Sequence, residues 1–277
     1  MMNNGNSDAP CSLTVTQLLN VTDNKTGDQR SLAYRKLPGT RAPGIIFISG
    51  FMATKDDVKP VALEEFASKH RFPFIRYDAT GLGESQGPIE LKDARLSHWL
   101  QDAEEILMNL TDGPQLVIGS SMGGWIASIL AKKYPEKFAS LLLLAPSINF
   151  SAHYINRLKS RARPSRLEIL EKGGSFDFND PKFGTYPLSL VVFEEMIPYE
   201  IPLEEESSYP VKCPVRLIHG TKDPYSPYEI SLKLLKAFAT SDVQLLYLKD
   251  VDHYLDTDKT LEIIWDVILK MANGSKL

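Results

Sequence analysis

The segment Gly119-Ser120-Ser121-Met122-Gly123 places a serine with glycine two positions away on either side, a G-x-S-x-G pattern. The apolar run Gln115-Leu116-Val117-Ile118 precedes it and reads as a buried strand. Trp125 to Tyr134 follows and reads as a helix stopped by Pro135. A strand-to-helix turn this sharp crowds the positions flanking the serine, so glycine, which has no Cβ, suits them. The serine is expected in a strained backbone conformation with its hydroxyl exposed at the tip. The N–H groups after it open a helix, where negative charge is stabilised. The chemistry that fits is attack of Ser121 on a carbonyl carbon.

A serine hydroxyl needs a base within hydrogen-bond reach, and the base needs a carboxylate to orient it. Five histidines are available. His70 and His98 fall on predicted helices, and His153 opens an irregular region. His219 ends the apolar run Val215-Arg216-Leu217-Ile218, where it is expected to brace the next turn. His253 lies in the polar loop Lys249-Asp250-Val251-Asp252-His253-Tyr254-Leu255 after the last strand, and is the expected base. For the acid, Asp223 follows a strand in His219-Gly220-Thr221-Lys222-Asp223-Pro224. Asp250 and Asp252 are rivals close to His253 in sequence, but a neighbour on the same loop seldom folds back onto Nδ1. After Leu141–Leu144 the chain reads Ala145-Pro146-Ser147-Ile148-Asn149 and holds no carboxylate. Asp223 is therefore the expected acid. The oxyanion needs two backbone donors, expected at Met122 N–H and Phe51 N–H. Losing one such donor costs about 3–4 kcal/mol of transition-state stabilisation in enzymes of this sort.

These residues need a scaffold. Buried strand-like runs at Ile45–Ile48, Phe74–Asp78, Gln115–Ile118, Leu141–Leu144, Val215–Ile218 and Val243–Leu248 alternate with helical patterns. An amphipathic helix is predicted over Leu96–Leu110, others near Val61–His70, Tyr228–Ala239 and Leu261–Ala272. Ser31–Leu37 reads as an early antiparallel strand. The alternation predicts an α/β fold with a mostly parallel, doubly wound sheet of about eight strands. Ligands in such sheets bind beyond the carboxyl ends of the strands. The loop Asp78-Ala79-Thr80-Gly81-Leu82-Gly83-Glu84-Ser85 reads as a tight turn beneath the site, not a phosphate cradle. Residues 1–29 are expected to be partly disordered, 30–146 and 211–277 to form the core, and 147–210 to be a helical lid insertion. The insertion starts basic, with Arg157, Lys159, Arg161, Arg163 and Arg166. Arg157, Arg161 and Arg163 are candidate substrate-binding residues, suited to the phosphates of an acyl-coenzyme A.

Composition sets further limits. The 277 residues carry a net charge of −4 with pI near 5.8, which disfavours a general nucleic-acid binder. No apolar run is long enough to span a membrane. Cys11 and Cys213 make neither a disulfide framework nor a metal motif, and no cofactor is expected. The sequons at Asn20, Asn24, Asn109 and Asn273 read as chance matches. The chain ends Ser275-Lys276-Leu277, the form of a peroxisomal address read by an import receptor. Cytoplasmic placement is the expectation for a source without peroxisomes.

The runs Gly119-Ser-Ser-Met-Gly-Gly-Trp125, Asp78-Ala-Thr-Gly-Leu-Gly-Glu-Ser85 and Cys213-Pro-Val-Arg-Leu-Ile-His-Gly-Thr-Lys-Asp223 resemble the α/β-hydrolase superfamily. More narrowly they resemble the group of α/β-hydrolase domain-containing protein ten. Gly50-Phe-Met52, Lys59–Phe66 and Asp252-His253 extend the resemblance over roughly residues 30–270. It implies Ser121 as nucleophile, Asp223 as acid and His253 as base, in that superfamily's order of Ser, acid, His. It also implies removal of S-acyl chains from protein cysteines or hydrolysis of acyl glucuronides, with generic carboxylesterases among bacterial relatives. Two departures stand out. Ser49 takes the place of the usual His before the oxyanion glycine, and the group's mitochondrial import peptide is not seen. The expected function is a serine hydrolase of acyl thioesters or carboxylic esters, with acyl-coenzyme A thioesterase as the alternative. A ligand receptor on the same fold is the expectation from another class.

Overall fold

The computed structural model describes residues 14–161, 163–180 and 184–274. β1 (Gln17–Thr22) and β2 (Gln29–Leu37) form an antiparallel pair. β3 (Gly44–Ile48), α1 (Val58–His70), β4 (Phe74–Tyr77) and α2 (Leu96–Asn109) follow. Next come β5 (Gln115–Ser120), α3 (Met122–Lys133) and β6 (Phe138–Leu144). The main sheet resumes only at β9 (Val215–Gly220), followed by α7 (Glu229–Ala237), β10 (Val243–Leu248) and α8 (Asp258–Ala272). Between them lie α4 (Ser151–Arg161), α5 (Pro164–Glu171), β7 (Ser175–Asp180), β8 (Gly184–Ser189) and α6 (Leu190–Glu194).

The eight-stranded sheet runs β1-β2-β4-β3-β5-β6-β9-β10. β2 meets β4 antiparallel, and every pairing from β4 to β10 is parallel. β4, β5 and β9 are buried at every position, as expected for strands covered on both faces. Alternate side chains feed two cores. Ile46, Ile48, Val117, Leu141 and Leu143 pack with Trp99 and Ile106 of α2 and Trp125 and Leu130 of α3. Ile45, Phe47, Leu116, Ile118, Leu142 and Leu144 pack with Leu63 and Phe66 of α1 and Ile264 and Ile268 of α8. The parallel strands bring the ends of β3, β5, β6 and β9 to one edge.

Two elements lie beyond what the sequence pattern shows. Within residues 1–29, expected to be partly disordered, Gln17–Thr22 is the edge strand of the main sheet, paired with β2 over Gln17↔Tyr34 to Thr22↔Gln29. Its faces are mostly exposed, so its sequence carries little apolar signal. The 147–210 insertion, expected to be helical, also contains β7 and β8, an antiparallel pair separate from the main sheet.

Polar clusters fix the turns below the sheet edge. Asp78 accepts from Lys55 N and Lys55 Nζ, at 2.7 and 3.0 Å, and from Glu84 N at 2.8 Å. Ser85 Oγ donates to Asp78 O at 2.7 Å and accepts from Ala33 N at 2.9 Å. The Asp78–Ser85 loop is thus a turn closed by its own side chains. Asp102 accepts from Thr80 N and Oγ1 and from Arg30, whose guanidinium also reaches Asp23.

Candidate active site

Ser121 sits between β5 and α3 at φ 54° and ψ −123°, a positive-φ position unusual for any residue but glycine. The crossing is tight enough to demand the glycines. A Cβ on Gly123 would lie 2.2 Å from Ile48 O, and one on Gly119 would lie 2.5 Å from Gly123 O. Ser121 N donates to Leu144 O at 2.9 Å, and Ser121 O accepts from Gly124 N and Ser147 N at 2.9 and 3.1 Å. The serine is held from both sides of the sheet edge.

Three loops converge there. His253 Nε2 lies 2.9 Å from Ser121 Oγ, and His253 Nδ1 lies 2.5 Å from Asp223 Oδ2. Asp223 also accepts Tyr225 N and Ser226 N on Oδ1, at 2.8 and 2.9 Å. Asp250 and Asp252 stay apart from the imidazole: Asp250 pairs with Lys222, and Asp252 accepts Tyr254 N. Burial opposes ionisation of Asp223. Hydrogen bonds from His219 and His253, the His253 charge and the Ser226 N–H outweigh it, so the carboxyl sits far below the ordinary carboxylate range.

His219, expected to brace a turn, does more. Its Nε2 lies 2.9 Å from the same Asp223 Oδ2, and its Nδ1 lies 2.7 Å from Ser231 Oγ on α7. The His219, Asp223 and Ser231 side chains are buried. Ser147 is a neighbour the sequence did not flag: its hydroxyl is 3.2 Å from Ser121 Oγ. Tyr225 and Tyr254 flank His253, with ring centroids at 5.3 and 5.9 Å and their hydroxyls 2.8 Å apart.

The expected oxyanion donors lie on facing elements. Met122 opens α3, and Phe51 follows β3 in the Ser49-Gly50 loop that packs on Ser121: a Cβ on Gly50 would lie 2.9 Å from Ser121 Cβ. The N–H groups of Phe51 and Met122 have no hydrogen-bond partner among the described residues. The Phe51 ring packs edge-on against Trp99 and against Tyr186 of β8, at 5.7 and 6.0 Å, so the insertion touches this loop. A cavity of about 10 Å³ lies alongside, lined by Ser49, Gly50, Trp99, Met122 and Ile126 among others. Ser49 Oγ is buried without a partner among the described residues.

The basic candidates stand elsewhere. Arg163 is exposed at the start of α5, and no described contact joins it to Ser121. Arg157 and Arg161 lie on α4, and their side chains are outside what the structure describes, as are all of Ser275, Lys276 and Leu277. Among the described residues no group of His, Cys, Asp and Glu could hold a metal, and no helix is long and apolar enough to cross a membrane.

A mostly parallel sheet wound on both faces, with a strained serine between a strand and a helix at its carboxyl edge, defines an α/β hydrolase. Residues 43–172 match the family model described as the alpha/beta hydrolase fold, and the chain belongs to that family of hydrolytic enzymes. Within it the chain resembles "Palmitoyl-protein thioesterase ABHD10, mitochondrial". It is 31% identical to the Bos taurus protein over 246 residues, covering 86% of this chain and 75% of the relative. To the Homo sapiens protein it is 32% identical over 238 residues, with the same coverage. The solved structure of alpha/beta hydrolase domain-containing protein 10 from mouse superposes with TM-score 0.78 at 29% identity, covering 93% of this chain and 99% of that one. A putative hydrolase from Agrobacterium vitis S4 shares the fold, with TM-score 0.82 at 23% identity over 94% and 99% of the chains. The mitochondrial names of the curated relatives give no support to the peroxisomal reading of the terminal tripeptide.

Proposed function

We propose that this hydrolase cleaves acyl thioesters or carboxylic esters by two-step acyl transfer, with Ser121 as nucleophile, His253 as base and Asp223 as its orienting acid. The observation that carries the reading is the unbroken contact line from Ser121 Oγ to His253 Nε2 and from His253 Nδ1 to Asp223 Oδ2. The depressed carboxyl of Asp223 keeps a negative charge facing Nδ1. That places the proton on Nδ1 and leaves Nε2 free to take one from Ser121. The N–H groups of Phe51 and Met122 hold the oxyanion. The alcohol or thiol then leaves with a proton from His253, and water repeats the sequence on the acyl-enzyme.

Thioesters are the leading substrate class, supported by the thioesterase names of the relatives. The insertion acts as a lid, a role supported by the contact of Tyr186 with Phe51. The test is a panel of p-nitrophenyl esters, acyl-coenzyme A thioesters and an S-acylated peptide. The wild-type protein turns over at least one class, and Ser121→Ala and His253→Ala each lose at least about a thousandfold in kcat. Turnover that survives either substitution contradicts the assignment. A wild-type protein inert to the whole panel, yet binding acyl compounds, favours a receptor.

A further inference from the structure

We propose that Ser147 is a further catalytic residue, whose hydroxyl donates to Ser121 Oγ and speeds breakdown of the acyl-enzyme. This rests on the reading of Ser121 as nucleophile.

Proton counting fixes the direction of the bond. Asp223 is ionised, so His253 Nδ1 at 2.5 Å must carry a proton. His253 Nε2 then accepts, and Ser121 gives it the one proton its hydroxyl has, across 2.9 Å. Nothing remains on Ser121 Oγ to donate. In the 3.2 Å contact between the hydroxyls, the proton belongs to Ser147.

Ser147 is buried and held in place. Its N–H donates to Ser121 O at 3.1 Å. Ala145 turns the chain at φ 43° with its N–H on Ile218 O at 2.8 Å. Pro146 O accepts from Ser226 Oγ at 2.9 Å. The Asn149 side chain both donates to Ile201 O and accepts from Ile201 N, at 2.6 and 2.9 Å. The donor is thus fixed before reaction.

The bond changes strength during turnover. In the acyl-enzyme, Ser121 Oγ is the alkoxy oxygen of an ester and accepts weakly. Water adds to the acyl carbon, giving its proton to His253 Nε2. The tetrahedral intermediate then breaks its carbon–Oγ bond, and the electron pair returns to Oγ. Ser147 stabilises that charge until His253 returns the proton to Oγ and the carboxylic acid departs. Acylation gains little: the free hydroxyl already accepts this bond, and its lone pair leaves for carbon. An interaction tightened only on the way out of the acyl-enzyme accelerates that step.

The test is rapid-quench intact-mass spectrometry of the wild-type protein and Ser147→Ala mixed with a p-nitrophenyl ester, following decay of the acyl adduct on Ser121. The rate of fluorophosphonate labelling reads Oγ attack in parallel. Decay in Ser147→Ala is expected to slow about tenfold, one neutral hydrogen bond's worth, with labelling within about twofold of wild type. Ser147→Thr, which keeps a hydroxyl, decays faster than Ser147→Ala. If the alanine variant does not fold, Ser147→Cys, a weaker donor, stands in for it with the same order expected. Equal decay in the variants, or labelling slowed as much as decay, overturns the proposal. A wild-type protein that forms no adduct on Ser121 sinks the nucleophile reading instead, and this one with it.

Discussion

Two imidazoles share one carboxylate oxygen: His253 Nδ1 and His219 Nε2 both point at Asp223 Oδ2. Asp223 therefore accepts four hydrogen bonds, its other oxygen taking two backbone N–H groups. With the carboxyl ionised, His219 donates from Nε2, and its Nδ1 accepts the Ser231 hydroxyl. In the proposed mechanism, these bonds keep Asp223 from being left as a bare buried charge when His253 passes its proton. Replacing His219 by Leu strands the Ser231 hydroxyl and one bond to Asp223, at an expected cost of about 1–3 kcal/mol in urea unfolding. Its activity is expected to stay well above that of His253→Ala. Equal losses from the two substitutions would mean His219 shares the role of base. Asp223→Asn keeps the shape but removes the charge facing Nδ1, and kcat is expected to fall by about three to four orders of magnitude with KM little changed. Unchanged turnover in Asp223→Asn would show that some other group orients His253.

At the scale of elements, the turn between β5 and α3 is set against β3. Gly123→Ala drives a methyl into Ile48 O, so β3 and the loop carrying Phe51 must move. The expected cost is about 1–3 kcal/mol of stability, with fluorophosphonate labelling reduced far more than thermal stability. Wild-type labelling in Gly123→Ala would mean the loop after β3 does not need its position. This turn was legible because a strand run, two glycines and a helix run lie in contiguous sequence. The triad candidates were legible because each follows a strand that the pattern marks. Elements without an apolar signal were not legible. β1 faces solvent on much of its length, and the β7–β8 pair lies inside a region read as helical. Ser147 carries no motif: the left-handed turn at Ala145 and the bond from Ser147 N to Ser121 O bring it beside the Ser121 hydroxyl. The second bond of His219 to Asp223 depends equally on a turn whose geometry the sequence does not display.

Across the whole molecule, the sheet order sets β5 between β3 and β6 and β9 beyond them, so loops distant in sequence meet at one edge. The same arrangement ties stability to pH. Burial opposes ionisation of Asp223, Asp23 and Asp56, yet their hydrogen bonds and nearby cations hold all three carboxyls below the ordinary value of 3.8. A depressed carboxyl stabilises the fold above its unfolded pKa and loses that contribution as pH falls through the folded one. Thermal stability is thus expected to fall steeply on acidification below about pH 3.8, and less steeply in Asp223→Asn. Parallel acid profiles for the two proteins would remove Asp223 from the account of stability. Fluorophosphonate treatment followed by peptide mapping tests whether Ser121 is the reactive hydroxyl activated by His253. A single adduct is expected on the peptide bearing Ser121, absent from Ser121→Ala and slowed at least about a thousandfold in His253→Ala. An adduct on another residue, or equal labelling in His253→Ala, would contradict it.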